Sequence, residues 1–490
     1  MKNFESENFD AMVKELDKEL KKSGLTRREA LKLLGIGSGA LLLTPSESSA
    51  ATRAEASSAK GKIVIVGGGA AGITVAAQLS NKLSNPDITL IAPNEIHLYQ
   101  PGQTLIAAGL WKESDIQDKN ANYMPSNVKW VKDKVAQFDA AGKKVVTSKG
   151  EAISYDYLVI ATGIEYAYEK IEGLSADKIG SHGVASIYLN DLDKGTAVGA
   201  IKCWEQLQAF GDKAKKEKVV GLFSDGLTPI KCGGAPKKIQ YLTDGYLRKL
   251  GGTARDNATL DFYTPGEKMF GVPEFHDAIV KQYEARKMKF FYSHKLKAVD
   301  TDKQVAIFEK TSKVQGKYDE LLKEYEMIEQ KENVEIKFDL LHVVPPMKAP
   351  EVVKNSDFSF KKGSAAGFGA VEVDKHTLQH LRYKEVFGIG DVIGVPVGKT
   401  GGSVRKQAPV LVENLIAVME GKEPKAQYHG YTVCPLITGY GTVMMAEFDY
   451  NMKVTPSFPL DATQERWIWW LLKVYMLKPM YFMGMLKGRA

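Results

Sequence analysis

The stretch that most restricts the fold is Lys62 to Gly72, KIVIVGGGAAG. Ile63, Val64, Ile65 and Val66 form an unbroken β-branched run, the mark of a parallel strand buried on both faces. Gly67-x-Gly69-x-x-Gly72 then leads into a helix of small residues, expected over about Ile73–Ser80. Between a strand and a helix the three glycines have separate jobs. They allow a tight turn, close approach of backbone to a pyrophosphate, and close packing of helix on strand. A diphosphate rests on the helix N-terminus, where unpaired N–H groups and the helix dipole favour negative charge. Gly67, Gly69, Ala70, Ala71 and Gly72 are therefore the first candidates for contact with a dinucleotide.

The acid that usually completes this pattern is missing. The second strand, expected over Ile88–Ile91, should end in Asp or Glu to hold ribose hydroxyls. Here the chain continues Ala92-Pro93-Asn94-Glu95, so Asn94 or Glu95 is the available substitute.

With 490 residues the chain suits two or three domains. It is 44% hydrophobic and 26% charged, a globular balance. No uncharged apolar run reaches about 18 residues, so no spanning helix is expected. The net charge of +7 fits an anionic membrane surface or anionic substrates. Without a dense basic patch interleaved with aromatics, nucleic acid is not an expected partner. Cys203, Cys232 and Cys434 are too few for a disulfide framework. With no CxxC, CxxCH or Cys/His cluster, no metal, iron–sulfur or covalent haem site is expected.

Near the N-terminus, Leu25-Thr26-Arg27-Arg28-Glu29-Ala30-Leu31-Lys32 precedes an apolar stretch, Leu33 to Leu43, and small residues from Ser46 to Ala51. That order reads as a twin-arginine export signal over 1–51, with cleavage near Ala50 or Ala51. It implies a protein on the periplasmic side of the cytoplasmic membrane. An amphipathic helix with a chance Arg pair is the alternative. Residues 52–61 read as a linker.

Tyr155-Asp156-Tyr157-Leu158-Val159-Ile160-Ala161-Thr162-Gly163 is a strand running into a small turn, as closes the first dinucleotide domain in flavin disulfide-reductase-like folds. Domain boundaries are expected at 62–173 plus 340–420 for the first domain, 174–339 for the second and 421–490 for a C-terminal region. In the second domain the strand Lys218–Ser224 ends where a nicotinamide-using protein would carry another GxGxxG. The turn instead runs Asp225-Gly226-Leu227-Thr228-Pro229-Ile230-Lys231-Cys232-Gly233-Gly234-Ala235-Pro236, followed by a helix from Lys237 to about Leu250. A pyridine nucleotide reductant is disfavoured. The charged, helix-prone segment 313–333 reads as an inserted, solvated surface hairpin.

At Leu340 the chain is expected to return to the first domain through the strand Leu340–Pro346. The strand Val386–Val392 carries Gly388-Ile389-Gly390-Asp391, which suits a carboxylate held near the ribityl and phosphate portion of FAD. Lys399-Thr400-Gly401-Gly402 starts a helix through Leu415, whose N-terminus and Lys399 ammonium are placed to favour negative charge on a reduced flavin ring. The tail from Asp461 holds two Trp-rich or aromatic apolar segments of about 10–12 residues bracketed by Lys and Arg. They are too short to span a bilayer and suit its interface. A helix at a homo-oligomer interface, or a cap on the core, is the alternative.

Two thiols beside a flavin permit two-electron sulfur chemistry: one receives a nucleophile, the other relays electrons. Cys232 and Cys434 are the candidates, with two unrelated buried cysteines as the alternative. Cys203, in a helical stretch, is expected to be structural.

KCGGAPKK around Cys232, LLHVVPPM at 340–347, FGIGD at 387–391, YTVCPLITGYG at 431–441 and AEFDY at 446–450 closely resemble the sulfide:quinone oxidoreductases of the mitochondrial type. HLYQPG at 97–102, with Gln100, fits as well. The likeness covers about 60–490, except the 313–333 insertion. It implies an α/β fold with two Rossmann-like domains, glutathione-reductase-like, and a C-terminal membrane-docking tail. It further implies FAD held by Asn94, Gln100, Thr162, Gly163, Gly390, Asp391, Lys399 and Thr400 besides the glycine turn. Cys434 would capture sulfide and Cys232 relay electrons, the pair being bridged by sulfane sulfur at rest. A small acceptor would take the sulfane sulfur, and quinone from the bilayer the electrons. The family commonly has Glu where this chain has Ala92. The rivals are a flavocytochrome c sulfide dehydrogenase flavin subunit, disfavoured by the Trp/Lys tail, and a type II NADH:quinone dehydrogenase, disfavoured by the missing second fingerprint. A flavin-bearing scaffold without turnover is disfavoured by the intact cysteines.

Overall fold

The structure, a computed structural model, describes residues 56–489 apart from 193 and 322. The twin-arginine segment expected over 1–51 lies outside the described residues. The chain forms two compact units. Among the described residues, one comprises 56–97, Asp118–Ile164 and 349–489; the other comprises Leu98–Gln117 and Glu165–Lys348.

The first unit is built on a parallel sheet in the order Val386–Gly388, Tyr157–Ile160, Lys62–Val66, Asp87–Ile91, Val128–Val131. Its central strand shows why the β-branched run is there: Ile63 to Val66 are between 0% and 4% exposed. Burying each such side chain contributes about 1.5–3 kcal/mol, so only a covered central strand satisfies the sequence. The helix after the glycine turn spans Ala70–Lys82, starting earlier than expected because Ala70 and Ala71 already turn helically. It packs with the helix Gly401–Met419. A small antiparallel sheet, Val135–Asp139, Lys144–Thr147 and Ala152–Ser154, completes this half.

The second unit carries another parallel sheet, ordered Val184–Ala185, Leu340–His342, Val219–Ser224, Ala258–Tyr263, Lys289–Phe291. This corrects the expectation for Leu340. The strand Leu340–His342 pairs with Gly221–Phe223 in the second unit, and the chain changes unit only at Ala349. Leu340 and Leu341 are fully buried there, which an apolar run satisfies equally well in either sheet. Tyr263, Phe308, Leu296, Val299, Phe338 and Leu341 share one core cluster under an antiparallel sheet.

That antiparallel sheet ends in a long hairpin, Val305–Asp319 with Glu324–Lys337. The helix-prone composition of 313–333 is overridden. Phe308 and Ala306 are anchored in the core, and the ladder they begin continues outward through the pairs Lys310–Glu332 and Lys331–Glu309. Residues 421–490 join the first unit. They form the hairpin Thr432–Gly439 with Thr442–Phe448, then helical turns from Trp467 to Met485. Trp469, Leu472, Val474, Phe482 and Met485 in these turns are buried, whereas Tyr475 is 65% and Met483 51% exposed. Among the described residues no helix is long and apolar enough to cross a membrane.

Candidate functional site

In the first unit the candidate cofactor residues converge on the C-terminal ends of the parallel strands. Gly67 has φ +122°, and a Cβ there would lie 2.2 Å from the carbonyl oxygen of Ala161. A Cβ on Gly72 would lie 1.9 Å from the carbonyl oxygen of Gly67. These two glycines are required by close backbone approach. Gly69 differs: a Cβ on it would meet no protein atom within 4 Å, and it caps the helix Ala70–Lys82 without any side-chain cap. Open space before unclaimed helical N–H groups is what a pyrophosphate needs, and a side chain would fill it.

The other strand ends fit the same reading. Gly390, at φ +82°, lies beside Ala71, its imagined Cβ 3.2 Å from that of Ala71, and its N–H donates to buried Gln407. The hydroxyl of Thr162 is buried and has no hydrogen-bond partner among the described residues. Gly163 follows at φ +71° with open space around it. An orphaned hydroxyl on an open turn at the sheet's C-terminal edge is compatible with a bound polar group. The residues present therefore fit FAD.

Asn94 sends its amide nitrogen to the carbonyls of Gly68 and Ile96, each at 3.4 Å. Glu95 instead pairs at the surface with Lys132. Asn120, which nothing in the sequence singles out, is wholly buried and donates to the carbonyls of Gly68 and Asn94 at 3.3 and 2.7 Å. Only its place beside the folded turn reveals it.

Thr400 caps the helix Gly401–Met419 by accepting from the N–H of Ser403. Lys399 is buried and turned inward, its ammonium donating to the carbonyls of Asp391 and Ile393 and lying 4.6 Å from the centre of the Phe368 ring. Burial pulls its pKa down to about 8, with Asp391 opposing. Val433 presses against Gly402 so closely that a Cβ there would come within 2.1 Å of Cγ1 of Val433. The next residue, Cys434, is 3% exposed and sits opposite Ala446 in the hairpin. The strand bearing Cys434 is thus packed on the head of this helix.

In the second unit Cys232 lies in the turn before the helix Ala235–Leu250 and has φ +54°. Its carbonyl accepts from the N–H of Ala235 at 2.7 Å. The ammonium of Lys238, buried at 4% exposure, donates to the Cys232 sulfur at 3.2 Å. A cation and a helix N-terminus both favour a thiolate there. Lys238 is visible in KCGGAPKK, but only the helical turn brings it back onto the sulfur. Lys237 is buried in an ion pair with Asp225 at 2.9 Å. That pair and Pro236 occupy the turn where a phosphate-binding glycine loop would otherwise stand. Gln100, expected among the cofactor residues, is found beside this cysteine turn, accepting from Lys231. Cys203 is wholly buried and its thiol is pushed up to about 12 by desolvation, as a structural cysteine requires.

Residues 61–219 match the family model of the pyridine nucleotide-disulphide oxidoreductases. A sulfide:quinone oxidoreductase, mitochondrial, of Dictyostelium discoideum is 38% identical over 429 residues, covering 87% of this chain and 86% of that protein. The chain belongs to this family. The mouse protein of the same name is 36% identical over 432 residues, with 87% and 86% covered. The solved sulfide:quinone oxidoreductase of Aquifex aeolicus shares the fold, with TM-score 0.68 at 21% identity, covering 88% of this chain and 92% of that one. The family match also corrects the expected location. The relatives are mitochondrial proteins by name, so the twin-arginine export to the periplasmic face inferred from 25–51 does not stand.

Proposed function

We infer that this chain is an FAD-dependent sulfide:quinone oxidoreductase that oxidises sulfide to sulfane sulfur through Cys232 and Cys434. What carries the assignment, beyond family membership, is Cys232: a half-buried thiol with a buried ammonium at 3.2 Å, at the head of a 16-residue helix. A structural cysteine has no use for that surrounding, as Cys203 shows.

FAD would be held at the glycine turn Gly67–Gly72, with Asn94, Thr162, Gly163, Gly390, Asp391 and Thr400 as its further contacts. When bound it supplies a two-electron acceptor that serves quinone. With the two cysteines bridged by sulfane sulfur, hydrosulfide attacks the Cys434 sulfur and forms a persulfide there. The bond from Cys434 to the bridging sulfur breaks, and that sulfur remains on Cys232 as an anion that Lys238 and the helix N-terminus stabilise. A small nucleophile removes the outer sulfur from Cys434. When the two cysteines are bridged again, two electrons have left the pair. Neither cysteine needs a general base, because hydrosulfide and the Cys232 anion are already nucleophiles.

Quinone is an apolar substrate, and the C-terminal turns suit a membrane surface. Exposed Tyr475 and Met483, partly exposed Trp467 and Trp470, and flanking Lys478 support interfacial docking. The deciding experiment is an anaerobic titration of the purified protein, followed by flavin absorbance. Sulfide should bleach the flavin, a soluble quinone should restore it, and NADH should do neither. Bleaching by NADH, or indifference to sulfide, overturns the assignment.

A further inference from the structure

A hydrogen-bond relay runs from the C-terminal segment to the glycine turn. Asn120 points its amide nitrogen at the carbonyls of Gly68 and Asn94, so its oxygen faces His97, 2.7 Å from Nδ1. An amide oxygen only accepts, so Nδ1 of His97 carries the proton. The imidazole is 2% exposed and held neutral, its pKa lowered to about 4 by burial. Nε2 is therefore the acceptor for the hydroxyl of Tyr481, at 2.6 Å. The far end is clamped as well. The Phe482 and Tyr123 rings lie 5.1 Å apart, Lys487 donates to the carbonyl of Asn122, and Gly488 lies against the backbone of Ala77.

The receiving atom matters. In a trans peptide the carbonyl and the following N–H point in opposite directions. Fixing the Gly68 carbonyl toward Asn94 and Asn120 thus turns the Gly69 N–H the other way, away from those two amides.

We propose that Tyr481 is a positioning residue for the pyrophosphate turn, acting through His97 and Asn120 on the Gly68–Gly69 peptide. The proposal rests on the reading that this turn holds FAD. The C-terminal segment is then part of the cofactor cradle as well as a docking element.

The test uses the full chain with Tyr481→Phe, which removes the hydroxyl and keeps the ring. The rate of FAD release from the holoprotein is measured. After flavin removal, binding of ADP, which carries the pyrophosphate, and of riboflavin, which lacks it, is titrated separately. The relay predicts that FAD and ADP bind about five-fold more weakly, the size of one buried hydrogen bond, with riboflavin unchanged. It also predicts that Tyr481→Phe adds nothing to ADP affinity once Asn120→Ala is present. Equal weakening of riboflavin and ADP, or unchanged FAD and ADP affinity, overturns the relay. If the unmodified chain binds neither FAD nor ADP, the cofactor assignment itself fails.

Discussion

The Lys238 ammonium donates to the Cys232 sulfur across one turn at the head of the helix Ala235–Leu250. An ammonium in contact with sulfur enlarges the thiolate fraction at neutral pH. Lys238→Met should slow alkylation of Cys232 by iodoacetamide at pH 7 by about ten-fold, read on the Cys232 peptide by mass spectrometry. Lys238→Arg should keep most of the rate. An unchanged Lys238→Met rate would show that the cation does not act on the sulfur.

Cys232→Ser and Cys434→Ser should each lower sulfide-dependent quinone reduction by several orders of magnitude, since covalent sulfur transfer loses a nucleophile or its relay. Cys203→Ala should keep turnover, its thiol being buried and protonated. Near-normal rates in either serine variant would be incompatible with the paired mechanism.

His97, His342 and His380 are buried, and desolvation lowers them to about 4, 3 and 4. Their folded values lie below the unfolded value near 6.5, so unfolding takes up protons between them. The stability from keeping these rings neutral is complete above about pH 6.5. It is lost as pH falls toward 4, at about 1.4 kcal/mol per pH unit for each ring. Melting temperature should drop steeply across that window, and His97→Gln should flatten the drop. A flat profile between pH 6.5 and 4 would contradict the burial argument.

Tyr475→Asp with Met483→Asp places charge on the exposed points of the C-terminal turns while leaving Tyr481 and Phe482 in place. Partition onto anionic liposomes should fall about ten-fold or more, with FAD content unchanged. Undiminished cosedimentation would place the docking surface elsewhere.

The outer hairpin is nearly all exposed beyond Val334. Replacing residues 313–329 with an Asn-Gly turn should shift the melting temperature by no more than about 2 °C and leave turnover intact. A larger loss would mean that the hairpin is covered by a partner.

What the sequence disclosed is what is local. The strand, turn and helix from Lys62 to Lys82 write their structure in consecutive residues, and the absent phosphate loop after Ser224 is equally local. The strand Leu340–His342 is legible as a strand but not as a member of a sheet, because an apolar triplet buries equally well in either. The segment 313–333 is legible as a solvated surface hairpin, but not the length of its strands, because helix-favouring Glu, Lys and Leu carry weak preferences that yield to a ladder anchored at Phe308. Asn120, His97 and Gln407 are ordinary polar residues until the fold surrounds them. Tyr481 lies in a segment that reads as apolar throughout, so its bond to His97 has no trace in the sequence.

The parallel sheet of the first unit has Val386–Gly388 at its edge, and the relay onto its glycine turn ends at Tyr481. The nucleotide cleft therefore cannot close until Val386–Gly388 and Tyr481 have been made, long after the glycine turn itself. Nascent chains stopped before Val386 should be colourless.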